Sequence, residues 1–397
     1  MALINPVRNT LLDLAPVQAI TTKLKRLVSG KHRSGLYKAG AITVLAILLS
    51  GCTGVKIATV STEDYIAQRR GDILTTNKLS ASARDTLTSL AIAPEQCAKD
   101  IPHCSSRLTE LWNLDTEQRM ATLAEIWTQE ALRLQGRRNA RPDFSTELFD
   151  AYLQSARYAY AYLFFTDRRP GDRAFEDRQT QVRDYYNYAV QQATMLLFAK
   201  YHDTSYAFQK TIEIGRWRIR GDLSQVRDAT APQPHELIPA SQLTFRGVRS
   251  IYRRDGFGAE MVVVNESKDV TPNSFQSTYS EPPFQAVTGI ITFPGETLSQ
   301  VLQTRDATII GYDPYQQTSV KLKDVQVPLA ANYTSAYGLW LARSDFSTQA
   351  LRTVLGRDGG IESPHVFLLQ PYDPNRRVII MLHGLASSPE AWINVAN

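Results

Sequence analysis

Val378-Ile379-Ile380-Met381-Leu382 is an unbroken apolar run of strand length, followed at once by His383-Gly384 and then by Ser387-Ser388-Pro389-Glu390. A strand with one face in water alternates apolar and polar residues, so an uninterrupted run suits a strand covered on both faces of a mostly parallel sheet. His383-Gly384 breaks the run. The serines, Pro389 and Glu390 then offer a helix start: a cap, a proline in the first turn and a carboxylate on the positive end of the helix dipole. Strand, glycine loop and helix in that order constrain this stretch to an α/β arrangement.

These residues resemble the α/β-hydrolases of the lipase and esterase type, in which an HG loop after a central strand supplies one backbone N–H of the oxyanion hole. More narrowly, Tyr372, Asp373, Pro374 and the run from Val378 to Trp392 resemble the corresponding segment of bacterial lipoprotein α/β-hydrolases. An HG pair by itself is equally an ordinary βα turn; Ser387-Ser388-Pro389 and Trp392 at the family's spacing favour the hydrolase. The resemblance implies that Leu385 N–H is the oxyanion donor, that His383 and Gly384 shape the loop, and that the substrate is a carboxylic ester or lipid. It implies neither cofactor nor metal.

Acyl transfer also needs an activated nucleophile, a base and an orienting acid. No G-x-S-x-G occurs in the 397 residues, and His32, His103, His202, His235 and His365 lie upstream of the loop, where the family has no triad member. In this fold Ser, Asp or Glu, and His follow the HG loop in that order. The expectation is a chain truncated before the nucleophile elbow, an inactive N-terminal part of a serine esterase or lipase. The alternative is a non-catalytic envelope lipoprotein that binds a protein partner.

The chain carries 44 Lys and Arg against 39 Asp and Glu, with a pI near 9.0. Residues 1–51 hold seven of those bases (Arg8, Lys23, Lys25, Arg26, Lys31, Arg33, Lys38) and one acid, Asp13, which leaves 37 bases and 38 acids for the rest. The basic character is N-terminal, so nucleic-acid binding is excluded as an expectation. A basic region ending at Lys38, an apolar stretch from Ala39 to Leu49 and small residues before Cys52 have the layout of an export signal. The apolar stretch is too short for the roughly 20 residues of a spanning helix. Leu49-Ser50-Gly51-Cys52 resembles a bacterial lipobox, which implies lipid on Cys52. Thr53 stands where the inner-membrane retention signal would place Asp, so the expected location is the outer membrane, facing the periplasm.

With Cys52 lipidated, Cys97 and Cys104 remain, and a short-loop disulfide between them fits an oxidising compartment. Zinc held by these two and His103 is the rival, weakened by the missing fourth ligand. Ser80 opens a helix through Leu87 and Leu90. Asp115-Thr116-Glu117-Gln118 opens a second, carrying Met120, Leu123, Ala124, Trp127, Ala131 and Leu134 and closing at Gly136. Further helices are predicted over 145–165 and 174–201. Their tyrosines, Tyr152, Tyr158, Tyr160, Tyr162, Tyr185, Tyr186 and Tyr188, read as packing residues rather than a carbohydrate or peptide site. From about 236 the pattern turns to short strands over 243–252, 259–264, 286–293, 307–312 and 319–325, with a further apolar stretch at 366–369. The expected class is α+β and multidomain: a lipoprotein signal peptide (1–51), a tether and first helix (52–114), a helical domain (115–235), a β-rich domain (236–371) and the incomplete beginning of an α/β-hydrolase domain (372–397).

Overall fold

Three long helices form where their caps and apolar spacing place them in a computed structural model of the chain. It describes residues 70–111, 114–136, 144–201, 211–226, 234–245, 250–265, 279–280, 282–343, 366–369, 374–375, 377–382, 392 and 395. The chain divides into two compact units, Met1–Ser61 and Thr62–Asn397. The first, which holds the expected export signal and Cys52, lies outside the described residues.

Among the described residues four helices precede the long ones: α1 (Ile73–Thr76), α2 (Ala81–Ser89), α3 (Pro94–Cys97) and α4 (Ile101–Glu110). Ser80 caps α2 by accepting from Ala83 N, as its position predicts. α3 and α4 fall in a stretch expected to be a tether; Pro94 and Pro102 sit in their first turns, where a missing N–H costs nothing. α5 (Thr116–Gly136), α6 (Thr146–Phe164) and α7 (Asp177–Tyr201) pack side by side, with α6 between the other two. Asp115 accepts from Gln118 N and Ser145 from Leu148 N, which sets where α5 and α6 begin. α7 starts at Asp177, three residues beyond the expected Ala174, because Pro170–Arg173 forms a 3-10 turn first.

The six-stranded sheet has the order β1 (Ile212–Ile214), β2 (Trp217–Gln225), β8 (Asp306–Tyr312), β7 (Phe284–Thr292), β5 (Ala259–Asn265) and β3 (Pro234–Pro239). β2 and β8 run parallel; the other neighbours are antiparallel. α7 lies across β5, β7 and β3, while a later helix, α9 (Tyr333–Arg343), covers β7 and β5 with Ala336 and Leu339 against Val262 and Ala286. With both faces covered, the inner strands are nearly continuous in buried residues, Ala-Val-Thr-Gly-Ile-Ile along β7. The fold is mixed α and β, and one apolar core runs from Ile73 through the helices into the sheet.

Polar anchors tie the layers. Tyr186 Oη donates to Ile291 O at 2.7 Å and accepts from Ile291 N at 3.2 Å. Asn187 next to it donates to Gly256 O at 3.0 Å and accepts from Gly258 N at 2.7 Å. The bend at 256–258 lies against the backbone of Pro328, Leu329 and Ala330 so tightly that a Cβ on Gly256 would stand 2.5 Å from Pro328 O. Asp150 on α6 accepts from Arg216 Nε at 2.8 Å and Trp217 Nε1 at 2.7 Å, holding the β1–β2 hairpin.

Several expectations are corrected. The sheet starts at Ile212, inside the stretch expected to be helical, and residue 235 falls within β3. Ile-Glu-Ile and Trp-Arg-Ile-Arg alternate with period two around Gly215, whose φ of 57° suits a two-residue hairpin turn. The described residues of 243–252 carry no strand: Ala240–Gln242 is a 3-10 turn, β4 (Arg253–Arg254) pairs with β11 (Ala331–Asn332), and 246–249 lie outside the described residues. The stretch 319–325 is a hairpin, β9 (Ser319–Leu322) and β10 (Val325–Pro328), because Lys323 adopts φ 51° and turns the chain back. Of 366–369 only β12 (Val366–Phe367) pairs, parallel to β6 (Tyr279–Ser280). A short helix, α8 (Leu298–Gln303), with a capping box at Thr297, and α9 were not anticipated.

Candidate functional site

His383, Gly384 and Leu385 lie outside the described residues, as do Tyr372 and Asp373. The run leading to them is described and carries no strand. Val378, Ile379, Ile380 and Leu382 are 69%, 85%, 75% and 79% exposed. A strand needs a neighbour to satisfy its N–H and C=O groups, and among the described residues none pairs with this one. The expected central strand is therefore corrected to an exposed apolar segment.

Cys97 and Cys104 are joined by a disulfide, with Cα atoms 5.2 Å apart, linking α3 to α4; both are buried. Thiols so joined are no zinc ligands, and no cluster of His, Cys, Asp and Glu suited to a metal occurs among the described residues. His103 and His235 are exposed. Tyr152, Tyr158, Tyr160, Tyr162, Tyr185 and Tyr186 are buried in the helix bundle, as a packing role requires. Tyr160 packs its ring against Phe164, Phe165, Tyr186 and Phe293.

Two polar features of the helices stand out. Glu125 on α5 is fully buried and accepts from Ser80 N at 2.6 Å and Ser80 Oγ at 2.7 Å, with an Arg178 nitrogen 3.9 Å away. Burial raises its carboxyl above the ordinary value, against the opposing pull of Ser80. Because Ser80 also caps α2, Glu125 fastens the start of that helix to α5. Glu117 is held lower than usual: burial raises it, and hydrogen bonds from Arg168 with the nearby Arg173 charge outweigh that. Both groups read as structural fasteners.

Among the described residues there are two notable hollows. An open depression of about 400 Å³ is lined by Glu213, Gly215, Arg216, Trp217, Arg218 and Arg305. Arg216 is paired with Asp150 and Arg218 with Asp306, so much of its positive charge is already neutralised. The second, a cavity of about 70 Å³, lies between α7 and the sheet. Thr194 and Phe198 of α7 face Met261, Val263, Val287, Gly289, Ile309 and Gly311 across it.

The cavity follows from a row of missing side chains. Gly289 pairs with Ala259 on one side and Gly311 on the other, so three neighbouring strands carry at most a methyl at the same level. A Cβ on Gly289 would meet the Met261 methyl at 2.8 Å and stand 4.0 Å from Thr194 Oγ1 and from Val190. Val190, Thr194 and Phe198 recur every four residues, which places them on one face of α7. The Thr194 hydroxyl, on a residue 7% exposed, has no hydrogen-bond partner. By contrast, Thr128 in the neighbouring bundle donates to the Ala124 carbonyl one turn back. Sequence reading missed this site; Gly289 and Gly311 inside otherwise apolar strand runs were the available signal.

Compared with protein-family models, curated proteins and solved structures, the chain gives no match. No described helix is long and apolar enough to cross a membrane.

Proposed function

We propose that this is an exported, lipid-anchored protein of the α/β-hydrolase type, in which the exposed run Val378–Leu382 leads into an HG loop whose Leu385 N–H is one oxyanion donor for the hydrolysis of carboxylic esters. The observation that carries the reading is the exposure of that run. Burying one large aliphatic side chain is worth about 1.5–3 kcal/mol, so four left in water imply a covering surface that the described residues do not supply. Further strands and helices of a hydrolase sheet would supply it, together with the Ser, acid and His that no G-x-S-x-G in these 397 residues provides. The Cys97–Cys104 disulfide supports export, since such bonds persist in oxidising compartments. Lipid on Cys52 would hold the protein at the outer membrane. In the full reaction the Leu385 N–H would stabilise the tetrahedral oxyanion, a contribution of about 2.7–4 kcal/mol for a donor of this kind.

The deciding experiment reads the genomic DNA past the codon for Asn397 in all frames, then assays p-nitrophenyl ester turnover by the 397-residue chain and by a version carrying any downstream G-x-S-x-G, acid and His. Turnover by the extended version alone, abolished on changing that serine to Ala, supports the reading. No such sequence downstream favours a partner-binding envelope lipoprotein instead. Ester turnover by the 397-residue chain itself, lost on changing one of its own serines, overturns the assignment. Cys52→Ser tests the anchor: the protein should move to the soluble fraction and lose the lipid mass on its N-terminal peptide.

A further inference from the structure

We propose that the cavity between α7 and the row Ala259, Gly289, Gly311 is a binding site for a short unbranched alkyl chain ending in a neutral carbonyl oxygen, to which the Thr194 hydroxyl donates. The site is independent of the HG loop and does not rest on the hydrolase reading.

Three observations lead there. The lining side chains are apolar except for Thr194, which excludes a charged ligand end: a carboxylate there would lose its hydration and gain one hydroxyl. The hydroxyl is buried without a partner although a helix carbonyl one turn back is the usual acceptor, and a buried orphan donor is costly. Water answers that need poorly, because an internal water requires two to four polar neighbours and Thr194 is the lone polar side chain on this wall. A carbonyl oxygen at the end of an apolar chain satisfies the donor and leaves the rest of the ligand against carbon.

Size sets the class. A cavity of about 150 Å³ accommodates benzene, so the space here, about 70 Å³, takes roughly half as many carbons. A propyl group is the right scale. Met261 is the adjustable wall: its methyl lies over Gly289, and an unbranched thioether can swing to admit a slightly longer chain. The two glycines keep the floor open. A Cβ at Gly311 would stand 3.0 Å from Leu223 and Val226, closing the space from the β2 side.

Propionaldehyde, three carbons ending in a neutral carbonyl oxygen, is the probe, titrated into the full chain with isotopically labelled Met and Val methyl groups and followed by NMR. Saturable shifts centred on Met261, Val263 and Val287 are expected. Thr194→Val keeps the shape and removes the donor, and should weaken binding roughly three- to tenfold, the net value of one hydrogen bond. Val263→Phe should fill the space and abolish the shifts, with circular dichroism confirming the fold; if that variant does not fold, Thr194→Val decides alone. Shifts that never saturate, or that spread over methyls far from α7, overturn the site. Equal affinity in wild type and Thr194→Val overturns the role of the hydroxyl and with it the ligand class.

Discussion

Replacing Glu125 by Ala removes a fully buried carboxylate fastened to a helix cap, and the structure sets the size of the effect. Both carboxylate oxygens accept from Ser80, one from its backbone N–H and one from its hydroxyl. Hydrogen bonds to charged groups contribute about 1.5–3 kcal/mol each, and a buried donor left unpaired costs about 1–3 kcal/mol. Alanine returns at most about 0.7 kcal/mol of helix propensity. We expect Glu125→Ala to destabilise by about 3–5 kcal/mol, in the range for breaking a buried ionic contact, and a large fraction of the 5–15 kcal/mol typical of a whole protein. Glu125→Gln should cost less, since the amide oxygen keeps one Ser80 bond. It also isolates the proton. Burial, the largest influence, raises the folded-state carboxyl above its ordinary value, so the folded chain binds that proton more tightly than the unfolded chain. Its contribution is full below the unfolded value and is lost as pH rises through the folded one. Glu117 and Glu236, both held low, contribute in the opposite sense, present above their unfolded values and lost as pH falls. The useful quantity is therefore the difference between wild type and Glu125→Gln, measured by urea unfolding between about pH 4.5 and pH 7. That difference should shrink as pH rises. A constant difference, or a loss under about 1 kcal/mol in Glu125→Ala, would refute the account.

Four further outcomes follow from particular contacts. Reducing the Cys97–Cys104 bond, which closes a loop of sequence separation 7, should lower stability by about 2.5 kcal/mol on the chain-entropy relation, read as a lower urea midpoint with reductant; an unmoved midpoint would count against it. Tyr186→Phe leaves Ile291 without the hydroxyl that joins α7 to β7 and should cost about 1–3 kcal/mol in thermal or urea unfolding. Gly256→Ala places a methyl 2.5 Å from Pro328 O and 2.6 Å from Ala330 N, both backbone, and should cost about 1–3 kcal/mol by forcing these segments apart; equal stability would mean the approach is looser than described. Ile379→Ser with Ile380→Ser should reduce aggregation measured by light scattering while leaving the urea midpoint in place, because these side chains are 85% and 75% exposed.

The helices were the most legible part of this chain, and for a local reason. Ser80, Asp115 and Ser145 each satisfy a backbone N–H three residues on, so the signal and the structure it sets lie within one turn. Three strands, 259–265, 284–292 and 306–312, were legible within a residue or two from their apolar content. The β1–β2 hairpin was missed although Gly215-Arg216 sits between alternating segments, because the helical pattern upstream was carried too far. The disulfide was anticipated as a pairing of the two remaining cysteines, and the tyrosine-rich helix faces as packing.

What sequence alone determined, then, is what neighbours within a few residues can settle: caps, turns, periodicity, and the apolar composition of the Val378–Leu382 run. Only the tertiary structure decided what meets across the fold. Ser80 reaches Glu125 from 45 residues away, and Tyr186 reaches Ile291 from 105. Gly289 and Gly311 looked like ordinary interruptions until strand register set them side by side with Ala259 beneath Thr194. Periodicity says which face of a helix or strand is apolar but not which other face it will bury against; that choice depends on the joint packing of all the elements, and the cavity under α7 exists only as its outcome.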